Sequence, residues 1–217
     1  MLILKSIFCM LMLTLVGCAG KPPMPTTLAN ADISGSTGLI TGTITRNPLQ
    51  PAYTAYGLYI RNIETEENHK IYTDLTGDFV DFHNLPTNND SRVTGSSFAL
   101  LLPEGKYEIY NFNLYELEPS GASTTYFAES DFSVPFQVSG GEKFYLGEFR
   151  LIANTFMFEW FGVEKEVLSG GTWYIYDFFE RDIDMMKKKF PDVDWQKTKK
   201  EIPMPTANLE LLIRSGG

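Results

Sequence analysis

The region from Gly38 to Phe161 is a succession of short apolar or β-branched segments separated by turn residues. We predict strands at 39–45, 54–61, 69–73, 78–83, 97–102, 106–115, 132–138, 143–151 and 154–161. In the second of these, Tyr56, Leu58 and Ile60 share one face by the two-residue period of a strand. Many short strands at this spacing are typical of a sandwich or barrel and not of βαβ units. The sequence therefore predicts a mainly β, antiparallel domain over residues 38–161.

Residues 72–82 (YTDLTGDFVDF), followed by Leu-Pro at 85–86, resemble the T-D-x-x-G-x-F-x-F-x-x-L-P stretch of carboxypeptidase-regulatory-like domains. In that family a P-x-G-x-Y turn opens the next strand, and residues 103–107 (PEGKY) supply one. Residues 87–102 separate the two pieces, so either an extra strand is inserted or 98–102 is the true partner of the turn. Residues 136–147 also resemble the closing hairpin of uncharacterised Gram-negative outer-membrane lipoproteins. The resemblance implies a transthyretin-like (Ig-like) β-sandwich, a fold that hosts many unrelated functions.

The N-terminus has the layout of a secretory signal, because Lys5 precedes an apolar run at 7–16 that is too short to span a bilayer. The tetrad LVGC at 15–18 resembles the lipobox of bacterial lipoproteins. That resemblance implies a signal peptide at 1–17 and a palmitate-type lipid anchor on Cys18. A chance cysteine behind an ordinary signal is the alternative. Ala19, where Asp would favour the inner membrane, implies the outer membrane, with the periplasmic or surface face left open.

Residues 18–37 are rich in Pro, Gly, Ser and Thr, which predicts a flexible tether between the lipidated cysteine and the β domain. The chain has a formal net charge of −9 and no basic patch, so nucleic acid is excluded as a partner. Its two cysteines, Cys9 and Cys18, would leave no thiol for a disulfide in the mature chain. The predicted partners are the membrane, through the lipid anchor, and another envelope protein.

Residues 162–217 are predicted to form a C-terminal extension with one amphipathic helix at about 177–190. Its apolar stripe, at helical spacing, comprises Phe179, Ile183, Met186 and Phe190. Asp177 and Glu180 have the spacing of a capping box, and Pro191 ends the helix. The lysines at 187–189 follow acidic residues of the first turns, so the helix dipole explains them. Residues 207–214 could be a strand or a helix.

The two histidines raise the alternative of a metal site. His69 and His83 flank several acidic residues, and Asp81 and His83 would share a strand face. Asp74, Asp81 and His83 are therefore candidate ligands, although acidic turn residues beside a histidine are more often a solvated loop. No cofactor is predicted. The chain contains no HExxH motif, GxSxG elbow or phosphate-binding loop, so no catalytic residue is predicted.

Tyrosines are numerous among the predicted strands. The candidates for a binding face are Tyr53, Tyr56, Tyr59, Tyr107, Tyr110, Tyr115, Tyr126, Tyr174 and Tyr176. They could stack on a glycan such as peptidoglycan, although tyrosine is also a favoured strand residue. Three functions can be separated by structure. Protein docking, the leading prediction, requires a contiguous apolar patch, glycan binding requires coplanar exposed rings, and a metal-assisted hydrolase requires carboxylates that converge in a cleft.

The lipid anchor leads to a direct prediction. Cys18→Ala should move the protein out of the membrane fraction, because stable attachment depends on the acyl chains. Cys9→Ala, within the predicted signal peptide, is the matched control and should leave the protein in the membrane. Fractionation of cells followed by immunoblotting measures both. Retention of the Cys18→Ala chain in membranes washed with high salt would contradict the lipobox interpretation.

Overall fold

The computed structural model describes residue 33 and residues 35–74, 79–82, 92–118, 121–128 and 130–204. These residues form a mainly β structure, as the sequence predicts. The strands are β1 (Thr37–Arg46), β2 (Ala55–Asn62), β3 (Asn68–Asp74), β4 (Phe79–Phe82), β5 (Arg92–Pro103), β6 (Gly105–Leu117), β7 (Ser123–Phe127), β8 (Val134–Val138), β9 (Lys143–Trp160), β10 (Val163–Tyr176) and β11 (Thr198–Lys200). The described helices are α1 (Phe179–Lys189) and a short 3-10 helix (Trp195–Lys197).

The strands belong to two sheets. Sheet A has the strand order β10-β9-β1-β5-β4, with β11 beside the start of β9. Sheet B has the order β3-β2-β6-β7, with β8 beside the first half of β6. Most neighbours are antiparallel, but β1 and β11 both run parallel to β9. β9 is the junction of sheet A, since it pairs with β1, β10 and β11.

The main hydrophobic core lies between the two sheets, as in a β-sandwich. Sheet A contributes Ile40 and Phe149, and sheet B contributes Leu58, Ile60 and Phe112, all of them buried. Leu58 and Ile60 are two residues apart, so the face of β2 predicted from the sequence is the face that packs into the core. Full burial of each such side chain contributes about 1.5–3 kcal/mol.

β9 is one continuous strand where the sequence predicts two. The predicted gap, at Ile152 and Ala153, is the place where β9 changes partner. β1 pairs with β9 as far as Leu151, and β10 continues beside it to Trp160. The predicted boundary at 161/162 lies in the turn between β9 and β10. The C-terminal extension therefore contributes β10 and β11 to the same sheet as β1.

Two further differences concern the middle of the chain. β7 is absent from the sequence prediction because its residues are mostly small and polar, yet it pairs with the second half of β6. β5 begins at Arg92, ahead of the predicted start at 97, and pairs with both β4 and β1. The turn at 103–105 is therefore entered from β5, and β4 is an additional strand before it.

α1 packs on the outer face of sheet A. Its apolar stripe forms a second buried cluster that comprises Leu39, Ala99, Ile183, Met186, Phe190 and Trp195. Leu39 and Ala99 alternate with residues of the main core, so this cluster lies on the opposite side of sheet A. The predicted capping box is wrong, because the helix begins at Phe179 and the Asp177 carboxylate accepts a hydrogen bond from the Phe179 amide at 3.1 Å. In the described part of the chain, no helix is long and apolar enough to cross a membrane.

The buried tyrosines make the fold sensitive to alkali. Burial and the neighbouring Glu116 carboxylate raise the pKa of Tyr126 to about 12, and burial also raises the pKa values of Tyr53, Tyr56 and Tyr145. The unfolded phenols ionise near pH 10, so the stability from these groups is complete below about pH 10 and is lost as the pH rises through the folded pKa values.

We expect the buried phenols to ionise together with loss of the β-sheet signal above about pH 10. Tyrosinate absorbance and circular dichroism, recorded on one sample, measure the two events. Tyr126→Phe should shift unfolding to higher pH. Complete tyrosine ionisation near pH 10 with an unchanged β-sheet signal would contradict this.

Candidate functional site

The candidate site is the hairpin formed by β9 and β10. These strands pair from Glu148 opposite Tyr176 to Trp160 opposite Val163. β1 accompanies β9 only as far as Leu151, so at a rise of about 3.3 Å per residue the hairpin extends roughly 30 Å past the end of β1. Leu168 still packs into the main core. We call residues 155–167, beyond that point, the hairpin arm.

The arm has two chemically different faces. Cross-strand pairs Phe156–Val167 and Phe158–Lys165 share one face by the strand period. With Val163 they form what we call the apolar face.

The opposite face of the arm, which we call the acidic face, carries Met157, Glu159, Glu164 and Glu166. Glu159 and Glu164 are directly opposite each other, and like charges in that position are destabilising. The Glu166 carboxylate accepts a hydrogen bond from the Thr155 hydroxyl at 2.6 Å. Three carboxylates on a narrow two-stranded surface keep this face in water. The apolar face is therefore the one available for burial against another molecule.

The apolar face lies on the side of sheet A that is turned away from the core. After the register shift opposite Thr41 and Thr43, the residues of β9 that point into the core are Phe149 and Leu151, at odd positions. From Phe156 onward the phenyl rings occupy even positions and project from the other side of the strand. Sheet B cannot cover these rings, because it lies on the opposite side of sheet A.

Large apolar side chains of the arm are exposed to solvent. The exposed fractions are 50% for Phe156, 49% for Phe158, 67% for Val163 and 90% for Phe161. Single exposed apolar residues are common on protein surfaces, but a contiguous group of them marks an interaction site. The exposed rings of Phe156 and Phe158 and the side chain of Val163 lie on one face of the arm, and Phe161 lies at its tip.

The tip of the arm is a two-residue turn at Phe161 and Gly162, both with positive φ (52° and 75°). Such turns favour Asn or Asp followed by Gly, because a residue with a side chain is strained in the left-handed region by about 1–2 kcal/mol. Here a phenylalanine takes the strained position and is also almost fully exposed. A bulky ring kept in an unfavourable backbone conformation at a solvent-exposed tip indicates a functional role.

At the base of the hairpin, between sheet A and α1, lies a cluster of buried charges. Glu148 and Asp182 are 0% and 1% exposed, and Arg150 is 3% exposed. The Arg181 guanidinium connects the two carboxylates, with its Nη2 2.5 Å from Glu148 Oε2 and its Nε donating to Asp182 Oδ1 at 2.7 Å. Arg150 Nε donates to Glu148 Oε1 at 2.7 Å.

Hydroxyl groups complete the cluster. Thr45 donates to Glu148 Oε1 at 2.8 Å, while Thr43 and the Tyr145 phenol donate to Asp182 Oδ2 at 3.0 and 2.7 Å. Each carboxylate oxygen thus accepts at least one hydrogen bond, as buried charges require.

The electrostatics of the cluster favour a structural role. Burial raises the pKa of Asp182 despite the opposing effect of Arg181 and the hydroxyl donors. Burial opposes the charge of Arg181, but Asp182 and Glu148 together raise the pKa of its guanidinium. Two carboxylates and two guanidinium groups, including Arg150, neutralise one another beneath the helix. These carboxylates converge on cations that they already bind, so the cluster attaches α1 to sheet A.

The candidate metal ligands are not brought into one described site. Asp74 ends β3 in sheet B, Asp81 lies in β4 of sheet A, and His83 lies outside the described residues. His69 has its Nε2 3.6 Å from a Glu67 carboxylate oxygen. Among the described residues, no group of three or more histidine, cysteine, aspartate or glutamate side chains could hold a metal ion.

The candidate tyrosines divide between core and surface. Those buried in the core are Tyr53, Tyr56, Tyr107 and Tyr126. Tyr59 and Tyr110 contact each other at an interplanar angle of 63°, with the Arg61 guanidinium 4.6 Å from the centre of the Tyr110 ring. Tyr174 and Tyr176 stack on each other at 20°. These rings pack against one another and against a cation instead of forming a flat exposed platform.

Sequence reasoning missed the charge cluster and the projection of the arm. A signal for the cluster is present, because Glu148 and Arg150 lie two residues apart within an otherwise apolar strand, which places two charges on one strand face. Arg181 and Asp182 were indistinguishable from ordinary surface residues at a helix start. For the arm, the signal is that the large apolar residues change from odd positions, ending at Leu151, to even positions, beginning at Phe156.

No family model matches this chain, and no curated protein does. A solved structure that it resembles in part is a leucine-rich repeat protein from Bacteroides thetaiotaomicron, with 10% sequence identity and a TM-score of 0.31. That similarity covers 52% of this chain and 13% of the Bacteroides protein. At this level of similarity the match has no bearing on function.

The charge cluster predicts a large effect of one substitution. Arg181→Met should lower the free energy of unfolding by about 3–5 kcal/mol, because it leaves two buried carboxylates without their shared cation. Lys187→Met is the matched control, since its ammonium pairs with Asp184 at 2.9 Å on the exposed side of α1 and should have no measurable effect. Urea unfolding compares both with the unsubstituted protein. Equal midpoints for the two variants would contradict the structural role of Arg181.

Proposed function

We propose that this protein is a non-catalytic docking module of the cell envelope, anchored to the membrane through Cys18 and bound to protein through the hairpin arm. The observation that carries the proposal is the apolar face of the arm, whose apolar members are Phe156, Phe158, Val163 and Val167. Its rings are about half exposed and lie on the side of sheet A that the core cannot reach. Burial against a protein surface would remove this apolar area from water.

The chemistry of the arm supports a protein partner over a lipid surface. Aromatic anchors such as Phe158 and Phe161 are typical of the centre of protein interfaces. Three glutamates on the acidic face would be repelled by anionic lipid head groups, and so would a chain with a formal net charge of −9.

The proposed anchor rests on the sequence. The lipobox at 15–18 and the tether at 18–37 lie outside the described residues, except for the last residues of the tether. A single acyl chain holds a protein at a membrane only marginally, whereas two or three acyl chains hold it stably. By the same resemblance, Ala19 supports the outer membrane as the location. Anchoring would keep the docking arm at a fixed range of distances from the membrane.

We also propose that the domain is a transthyretin-like sandwich with a C-terminal helical extension. Two facing sheets, the resemblance at 72–86, and a Pro-Glu-Gly turn between β5 and β6 support this assignment. In that case α1 and β10 would be elements added to the basic sandwich fold. The hairpin arm would be the part of these added elements that projects from the sandwich.

A second candidate function, glycan binding, is supported by one pocket on the surface of sheet B. It has a volume of about 300 Å³ and is lined by polar residues that include Arg61, Asn111 and Asp131, with the Tyr110 ring beside them. Amide, guanidinium and carboxylate groups next to an aromatic ring are suited to sugar hydroxyls. The angle between Tyr59 and Tyr110 leaves less flat ring surface than stacking on a sugar needs.

The docking function can be tested with a photoreactive phenylalanine analogue on the intact envelope. Placed at Phe158, on the apolar face, the analogue should form adducts with protein upon illumination. Placed at Met157, the adjacent residue on the acidic face with 60% exposure, it is the matched control and should form few. Adduct yields are read by immunoblotting of the full-length protein. Equal yields from both faces, or adducts from neither, would contradict docking through the apolar face.

A substitution at the tip residue, Phe161, tests binding separately from folding. Phe161→Asn introduces the Asn-Gly sequence that this turn favours, so the melting temperature should stay the same or rise. The adduct yield from position 158 should nevertheless fall, because the exposed ring of Phe161 is lost from the docking surface. An unchanged adduct yield would show that the tip takes no part in binding.

A further inference from the structure

We propose that the molecule docked on the hairpin arm is a second copy of this chain, with the two apolar faces packed against each other about a two-fold axis parallel to the arms. This inference rests on the proposed docking function and names its partner. It follows from the distribution of large, small and charged side chains on the apolar face.

The first argument is shape. On the apolar face the large rings, Phe156 and Phe158, both lie on β9, while the small side chains, Val163 and Val167, both lie on β10. A two-fold axis parallel to the arm places β9 of one copy over β10 of the other. Phe156 of one copy then lies over Val167 of the second copy, because these residues are at the same level of the arm. Large groups meet small ones, as close packing of two sheet faces requires.

The second argument is charge. Lys165 is the one charged side chain of the apolar face and is at the level of Phe158. The same axis places Lys165 over the Phe158 ring of the second copy, where its stem covers the ring and its ammonium can make a cation–π contact. A two-fold axis across the arm at this level would instead place Lys165 over Lys165, which is repulsive.

The acidic faces agree with this arrangement. When the apolar faces meet, Glu159, Glu164 and Glu166 of each copy point away from the contact and remain in water. Two such faces are separated by the two hairpins and the roughly 10 Å between packed sheets, so their mutual repulsion is screened at physiological ionic strength.

The size of the contact determines where association takes place. From Thr155 to Phe161 the arm is about 20 Å long and about two strands wide, so each copy offers roughly 200–300 Å² of face. A stable complex in dilute solution usually buries more than about 1,000 Å² in total. Two copies attached to one membrane have a much higher effective concentration, which makes a small contact sufficient. The dimer should therefore be sought in membranes.

The experiment uses two differently tagged full-length chains, co-expressed and crosslinked in intact membranes by a bis-maleimide with a reach of about 10 Å, the spacing of packed sheets. One chain carries Phe158→Cys and the other Lys165→Cys. We expect an adduct that contains both tags. Replacing Phe158→Cys by Met157→Cys, on the acidic face, is the matched control and should give at most background, as should chains with only the native cysteines.

A second pair of variants tests the packing. Phe156→Asp in both chains should reduce the 158–165 adduct by about tenfold or more, because a carboxylate would be buried against Val167. Met157→Asp should leave the yield unchanged. A 158–165 yield equal to the 157–165 control, or one unaffected by Phe156→Asp, would overturn the second copy as partner.

The outcomes also separate this inference from the proposed function. Photo-adducts from position 158 with a different protein, without any 158–165 adduct, would overturn the second copy and leave docking intact. Absence of both kinds of adduct would overturn the docking function itself.

Discussion

Glu148 lies where β9 meets β1, β10 and α1, and its buried carboxylate is held by two guanidinium groups. The position of the helix depends on this interaction. Arg181 can reach Glu148 only when α1 lies across sheet A, and Asp182 then meets the hydroxyls of Thr43 and Tyr145. Removing one partner from such a cluster leaves a buried charge without compensation, which costs more free energy than a cluster that was never buried. The cluster therefore specifies one position of α1 on sheet A, in addition to the apolar contacts of the helix stripe.

β9 connects this cluster to the hairpin arm, and along it the usual distribution of side chains is inverted. At its start the strand carries charges in the interior, at Glu148 and Arg150. At its end it carries phenyl rings in solvent, at Phe156 and Phe158. The first departure is stabilised by its surroundings, whereas the second leaves apolar rings in contact with water. The charges are paired beneath α1, and the rings project from a hairpin whose other face is acidic. A strand that is firmly held at its base can project an arm without losing its register.

The proposed docking function and the proposed pairing of two copies both depend on a strand that is held at its base and exposes rings at its end. A lipid anchor would restrict the molecule to a membrane, and the sandwich would hold the arm rigidly. The small apolar face would then bind only where a second molecule is confined nearby. The arrangement of rings on β9 and small side chains on β10 makes the face complementary to itself, which is the condition for an isologous contact. A site of this kind requires no pocket, and the buried carboxylates of Glu148 and Asp182 hold α1 on sheet A.

The sequence by itself determined the secondary structure class, the face of β2 that packs into the core, and the apolar stripe of α1, because each follows from a local period of two or about 3.6 residues. It could not show that β9 is one strand, since the interruption near Ile152 is a change of strand partner and not a turn. It could not show that Asp182 is buried while Asp184 is exposed, since both lie in the same helix. Whether Phe156 faces the core or solvent was decided only by the tertiary structure. One face of a strand is apolar by sequence, but the position of sheet B determines which face is inside.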